Sequence, residues 1–511
     1  MHPADPGNGP AGSQPRRWRT LASVSRIRNV SFSTADHVLL LVLWAVSTPI
    51  FIAQLGDERF GVWVLINAVV GLGGVFSLGF GEATIRFVAK YRADGRDDLV
   101  HRVVETTFVL YLAAGIVFGA GVAAAASWLA VHALGVSATH AAEATAGLRL
   151  AGLALVVTSL LKVFESAING FERFDLTARI SMVARTGIIV ANAAAALLGF
   201  GLIVLMTITV VGLAGQAVAT YRVVMHRFLP ELRLFRAPSR EVTGDVVRFG
   251  AHSWLQITSG ALSNTVDRFL VGALVSPAAA GVYAVCLQLA QQIHLLLVRA
   301  LAFIMPAASG AAGSGDGGHA LREAYSHGVC LTLALIGVIA IPLYVLAPQV
   351  LTVWIGPDFA TDGTDTLRLL TIYFAIWGIG VAPFYLLNGA GLPGWNTAAG
   401  LVHGLVIVAV AALLLPKLGL EGAAWARLAA LPTLALVLAA MHARVLRAGR
   451  LATALLVAGI GVLLALAALI EARTAGLIDA RFGELLVAGP VLVLAGGLLS
   501  LVFVLLARRA A

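Results

Sequence analysis

Fourteen apolar stretches, each long enough to cross a bilayer, run through the chain and leave it few choices of fold. Read between charged or Gly/Pro-rich breaks, they lie near 32–54, 60–82, 104–132, 148–166, 180–199, 201–221, 249–273, 279–305, 325–347, 366–388, 397–416, 422–442, 452–470 and 485–507. A spanning helix needs roughly 20 apolar residues. In hydrocarbon the backbone must satisfy its own N–H and C=O groups, so continuous runs of this length are expected as helices. The thinnest break is Gly199-Phe200-Gly201, and if it is bridged the count falls by one or two. Composition agrees: 59% of the 511 residues are hydrophobic and 12% charged, against about 25% charged in soluble domains. The expectation is an all-α polytopic membrane protein, which excludes a soluble enzyme, a coiled coil and a disordered regulator.

The 35 Lys and Arg exceed the 26 Asp and Glu, giving +9. In a soluble protein this would suggest nucleic acid; here the placement of the cations matters more, and no nucleic-acid partner is expected. Most of them fall in alternate connections: the tail before residue 30, Arg86 to Arg102, Lys162 to Arg185, Arg222 to Arg248, and Arg444 to Arg450. Cytoplasmic loops collect Lys and Arg, so both termini are expected in the cytoplasm, with an even number of spans. Residues 1–29 read as a basic cytoplasmic tail. A cleaved signal peptide is disfavoured, because the run from Val38 to Leu55 is long for one and lacks a small-x-small cleavage site.

An internal repeat divides the chain. Phe60-Gly61-Val62-Trp63 has a counterpart 220 residues later in Ala280-Gly281-Val282-Tyr283, and Ile168-Asn169-Gly170 has one in Leu387-Asn388-Gly389. A six-span unit restores orientation, so the expected plan is two pseudo-symmetric six-helix lobes related about the membrane normal, with a site between them. The boundaries are 30–221 for the first lobe, 222–248 for a basic cytoplasmic linker, 249–445 for the second lobe, and 446–511 for spans thirteen and fourteen with the C-terminal tail.

Signatures of phosphate-loop, zinc-protease, serine-hydrolase and dinucleotide chemistry are missing, and no cofactor or metal is expected. Cys286 and Cys330 lack metal-ligand spacing and read as buried thiols. Function must then rest on ionisable residues at membrane depth, which are costly and tend to face a cavity or a partner. Asp267 and Arg268 are the sharpest case. They point about 100° apart on a helix, and either line the central cavity or reach the interface and cap neighbours. Arg299, late in the eighth span, needs an anion, supplied by a protein carboxylate or by substrate. Arg86 is spaced for an i,i+4 ion pair with Glu82 or faces an inner vestibule. Asp36 begins the first span as a coupling site or as a carboxylate complementing the helix dipole. Lys162 and Glu165 read as an interfacial pair. His252, His294 and His403 would suit proton coupling, although a satisfied buried histidine is the commoner case, and the tryptophans read as anchors or packing.

Phe51-Ile52-Ala53-Gln54-Leu55-Gly56-Asp57-Glu58-Arg59-Phe60-Gly61-Val62-Trp63 and Leu78-Gly79-Phe80-Gly81-Glu82-Ala83-Thr84-Ile85-Arg86 resemble the start of Wzx-type bacterial polysaccharide flippases. Asp267-Arg268-Phe269-Leu270-Val271-Gly272 through Tyr283 resembles the matching region of their second half, and the general pattern covers about residues 30 to 445. The family belongs to the multidrug/oligosaccharidyl-lipid/polysaccharide exporter superfamily. The resemblance implies a non-enzymatic flippase of the bacterial cytoplasmic membrane that rocks between inward- and outward-open states. It would carry an oligosaccharide on a polyprenyl pyrophosphate across the bilayer and work alongside polysaccharide polymerase and export machinery. A pyrophosphate needs fixed cations where water is scarce, and the arginine fork suits its oxygens. Arg86, Arg268 and Arg299 are then the cavity candidates, with Arg26 and Arg28 gathering substrate at the inner mouth. A cation-coupled small-molecule antiporter of the same superfamily would instead want cavity carboxylates, for which Asp36 and Asp267 are the coupling candidates. A membrane enzyme acting on lipid-linked sugars usually displays a large outer loop, and every outer loop expected here is short.

Overall fold

The computed structural model describes residues 39–311, 317–446 and 450–474, with 492, 493 and 497. Among them the regular structure is helical. The helices are α1 (Leu39–Leu55), α2 (Asp57–Gly71), α3 (Gly73–Phe76), α4 (Phe80–Ala93), α5 (Asp97–Ala124), α6 (Ala126–Trp128), α7 (Ala141–Gly170), α8 (Phe174–Leu197) and α9 (Leu202–Val223). After a connection come α10 (Arg240–Asn264), α11 (Val266–Leu274), α12 (Pro277–Ala300), α13 (Ile304–Ala311), α14 (Gly317–Val345), α15 (Ala347–Trp354) and α16 (Pro357–Trp377). Last are α17 (Val381–Gly389), α18 (Pro393–Leu418), α19 (Glu421–Ala430), α20 (Leu434–Arg444) and α21 (Arg450–Thr474).

Among the described residues, eleven helical segments are long and apolar enough to cross a membrane, and they coincide with the expected spans two to six and eight to thirteen. Span one is the shorter apolar helix α1. Span seven, α10 with α11, has the length but is too polar to qualify: Ser253, Gln256, Thr258, Ser259, Ser263 and Asn264 interrupt its apolar residues. A polar spanning helix must find polar neighbours or water, and this one runs along the contact between the two halves of the chain. Most of span fourteen and the basic tail lie outside the described residues.

The repeat extends beyond its motifs. Helices α2, α5, α7, α8 and α9 begin at residues 57, 97, 141, 174 and 202; α12, α14, α16, α18 and α19 begin at 277, 317, 357, 393 and 421. Neighbours recur in the same order, with α5 on α7, α7 on α9 and α8 on α9 matched by α14 on α16, α16 on α19 and α18 on α19. Even a hydrogen bond repeats. Thr177 Oγ1 donates to Asn169 Oδ1 at 2.8 Å, and Asn396 Nδ2 donates to Asn388 Oδ1 at 2.9 Å, each pair eight residues apart.

The halves meet along α2 with α12 and α4 with α10. The connection between α9 and α10 is packed against the first half: Leu229 and Leu232 are buried, and the Arg233 N–H donates to Glu105 Oε1 at 3.2 Å. Helix α21 is fastened to the second half. Thr453 shares hydrogen bonds with Tyr325 and His442, and Glu471 pairs with Arg368 at 2.8 Å.

Candidate functional site

Polar span seven breaks where it bears the sharpest charges. Helix α10 ends at Asn264, Thr265 leaves helical geometry at φ −133°, and α11 restarts at Val266. As consecutive residues of α11, Asp267 and Arg268 send their side chains in different directions. Asp267 is fully buried within the second half, where its Oδ2 accepts from Arg427 Nε at 2.8 Å and from the Tyr283 hydroxyl at 2.5 Å, while Arg427 Nη2 lies 2.7 Å away. Its Oδ1 accepts the backbone N–H of Arg268 at 3.0 Å.

Arg268 instead lines a cavity of about 260 Å³ between the halves. From the first half come Trp44, Ser47, Thr48, Trp63 and Asn67, and from the second Thr265, Ala284 and Gln288. The Arg268 Nε is buried without a hydrogen-bond partner, and among the described residues its guanidinium joins no ion pair. Asn67 Nδ2 donates to the Trp63 carbonyl at 2.8 Å, which leaves its Oδ1 unused. The cavity therefore presents a cation, two amides and two indole rings. Buried cations require an anion, aromatic faces suit apolar sugar faces or rings, and amides suit hydroxyls.

The remaining candidates are more dispersed. Arg86 is exposed on α4; its guanidinium lies 4.5 Å from the centre of the Phe249 ring on α10, and no ion pair with Glu82 is formed. Arg86 thus sits at the junction of the halves, where Trp254 Nε1 also donates to the Val75 carbonyl at 2.9 Å. Arg299 is exposed, and 22 residues from the start of α12 correspond to about 33 Å of helix, so it lies toward the arginine-rich end rather than deep. Lys162 and Glu165 pair at 2.8 Å, and Glu165 also accepts from Ser181 and Gln216, joining α7, α8 and α9. Arg26, Arg28 and Asp36 lie outside the described residues.

Sequence reading missed Arg427. It counts as a loop-proximal cation in the hydropathy pattern, yet it is 1% exposed and lies under the Tyr373 and Phe374 rings, 5.4 and 5.9 Å from their centres. The same cluster satisfies His403: Nε2 meets the Tyr373 hydroxyl at 2.8 Å, Nδ1 meets Thr433 Oγ1 at 2.8 Å, and Trp377 stacks at 4.0 Å. The one available signal was Glu421-Gly422-Ala423-Ala424-Trp425-Ala426-Arg427, where small residues at every turn invite close packing.

The sequence profile described as polysaccharide biosynthesis protein matches residues 54–360, more than half of the chain. No curated protein matches the sequence. Among solved structures, the lipid II flippase MurJ in an inward closed conformation superposes with a TM-score of 0.70 at 14% identity, covering 94% of this chain and 99% of that one. An inward-facing multidrug resistance MATE family transporter of the MOP superfamily gives 0.65 at 18% identity, covering 81% and 94%. An outward-facing MATE transporter gives 0.54 at 16%, covering 82% and 94%. At these identities the likeness is one of fold.

Proposed function

The chain belongs to the polysaccharide biosynthesis protein family, and from that premise we propose that it is a flippase for a polyprenyl-pyrophosphate-linked oligosaccharide. It moves this substrate across the bacterial cytoplasmic membrane by alternating access between two lobes, 30–221 and 249–445, joined by the linker 222–248 and followed by spans thirteen and fourteen. The observation that carries the reading is Arg268: a guanidinium that forms no ion pair among the described residues, at a cavity between the halves that also offers indole rings and side-chain amides. An anionic head bearing sugars meets each of those groups. Arg86 and Arg299, with Arg26 and Arg28, serve as further cations toward the cytoplasmic mouth, where both termini lie. Polymerase and export machinery would take up the product.

The antiporter alternative asks for carboxylates in the cavity. Asp267 faces away from it and is already paired with Arg427, which favours the flippase. Deleting the gene is expected to abolish an exported polysaccharide and to leave its lipid-linked repeat unit on the cytoplasmic leaflet. Normal polysaccharide with altered drug or dye efflux would overturn the proposal in favour of the antiporter.

A further inference from the structure

One carboxylate lies within Coulombic reach of two arginines in the second half. Asp267 interacts with both Arg427 and Arg268, and the two arginines repel each other. Yet the carboxylate is committed to one of them. Its Oδ2 receives Arg427 and Tyr283, whose hydroxyl also accepts from Arg427 Nε at 2.9 Å, while Oδ1 takes only the backbone N–H of Arg268. Arg427 is held in place by the rings of Tyr373 and Phe374 above it and by complete burial. The Asp267–Arg427 pair is therefore neutral as a unit, and the cluster's remaining positive charge belongs to Arg268 at the cavity.

We propose that Arg427 is a positioning residue that insulates Arg268: by occupying Asp267 it keeps the neighbouring guanidinium free for the anionic part of the substrate. Without Arg427, Asp267 becomes an unpaired carboxylate in a medium where that is costly, and Arg268, the adjacent residue, is a cation within its Coulombic reach. The cavity cation would then be captured from within the protein. This inference rests on the reading of Arg268 as a substrate contact.

The test is calorimetric titration of the full-length protein in nanodiscs with inorganic pyrophosphate. Wild type is expected to bind and Arg268→Ala to lose binding; failure of either overturns the cavity reading and the insulation with it. Arg427→Met is expected to weaken binding at least about tenfold, as coupling between close charges allows. Adding Asp267→Asn to Arg427→Met is expected to restore affinity to within about threefold, because no carboxylate remains to capture Arg268 and neutral replacements of buried pairs are often tolerated. Wild-type affinity in Arg427→Met overturns the insulation alone, as does a monodisperse double variant that binds no better than Arg268→Ala. If Arg427→Met itself does not purify as a folded protein, the double variant still decides, since insulation requires it to bind like wild type.

Discussion

Gly61 and Gly281, which occupy the same place in the two repeats, pack directly against each other. A Cβ on Gly281 would lie 3.3 Å from the Gly61 Cα and 3.0 Å from the Phe60 ring, and a Cβ on Gly61 would fall on the Pro277 carbonyl. Equivalent residues that touch must lie near the axis relating the repeats, so the halves close on each other there at their shortest possible separation. Gly135, at φ 63°, approaches the Gly272 carbonyl in the same region, and Glu58 Oε1 accepts the Ser137 N–H at 3.1 Å.

Gly61→Ala puts a methyl group where a backbone carbonyl stands, and a carbonyl held in the first turn of α12 cannot swing aside. Closure at this end should fail while each half still folds. A cysteine placed at Gln288 is expected to react faster with a membrane-impermeant maleimide added from outside, and transport should fall at least about tenfold, the scale of a 1.4 kcal/mol bias. Unchanged labelling would show that the glycine contact does not limit opening.

Arg268→Ala should impair transport far more than Arg299→Ala, because Arg268 is half-buried at the cavity and Arg299 is exposed. With both variants expressed at wild-type level, accumulation of the lipid-linked repeat unit is the measurement. Equal, wild-type transport in both removes the cavity assignment.

Replacing His403 by Ala removes a partner of two hydroxyls, the buried Tyr373 and the half-buried Thr433. Thr433 can still donate to the Ala430 carbonyl at 2.7 Å and Tyr373 keeps Arg427 as a side-chain partner, so the cost is that of one lost hydrogen bond, about 1 kcal/mol. The expected readout is a lowered melting temperature in detergent. A variant as stable as wild type would mean that the hydrogen bonds around His403 carry no net weight.

Helix α21 should depend on the Arg368–Glu471 pair, whose side chains are 21% and 28% exposed. Breaking it with Glu471→Gln is expected to cost about 1 kcal/mol or less, because Asp365 lies 3.6 Å from Arg368 and retains part of its charge balance. Limited proteolysis of the connection before α21 is the probe, with faster cleavage expected in the variant. Identical cleavage rates would place the attachment of α21 in the Thr453 hydrogen bonds and in its packing on α14 and α16.

Hydropathy made the bundle legible because a helix in hydrocarbon must be apolar along its own length, a property each segment carries by itself. Eleven spans and the short α1 could be read that way, and span seven could be read despite its polarity because flanking charges bounded it. The repeat was legible in two short motifs, and the recurrence of helix starts extends it. The Glu82 and Arg86 spacing misled, since a neighbouring ring on α10 offers Arg86 a contact that no i,i+4 rule contains.

What the sequence by itself determined is a helical membrane bundle built twice, with scarce charges at depth and Asp267 and Arg268 unable to share one direction. Only the tertiary structure decided which way each of them turns. Arg427 lies 160 residues from Asp267, and no local pattern ties a cation in the last turn of α19 to a carboxylate in the first turn of α11. Burial enforces that pairing: an ionised group removed from water takes the partner that packing brings to it. That partner is Arg427, which leaves Arg268 to the cavity.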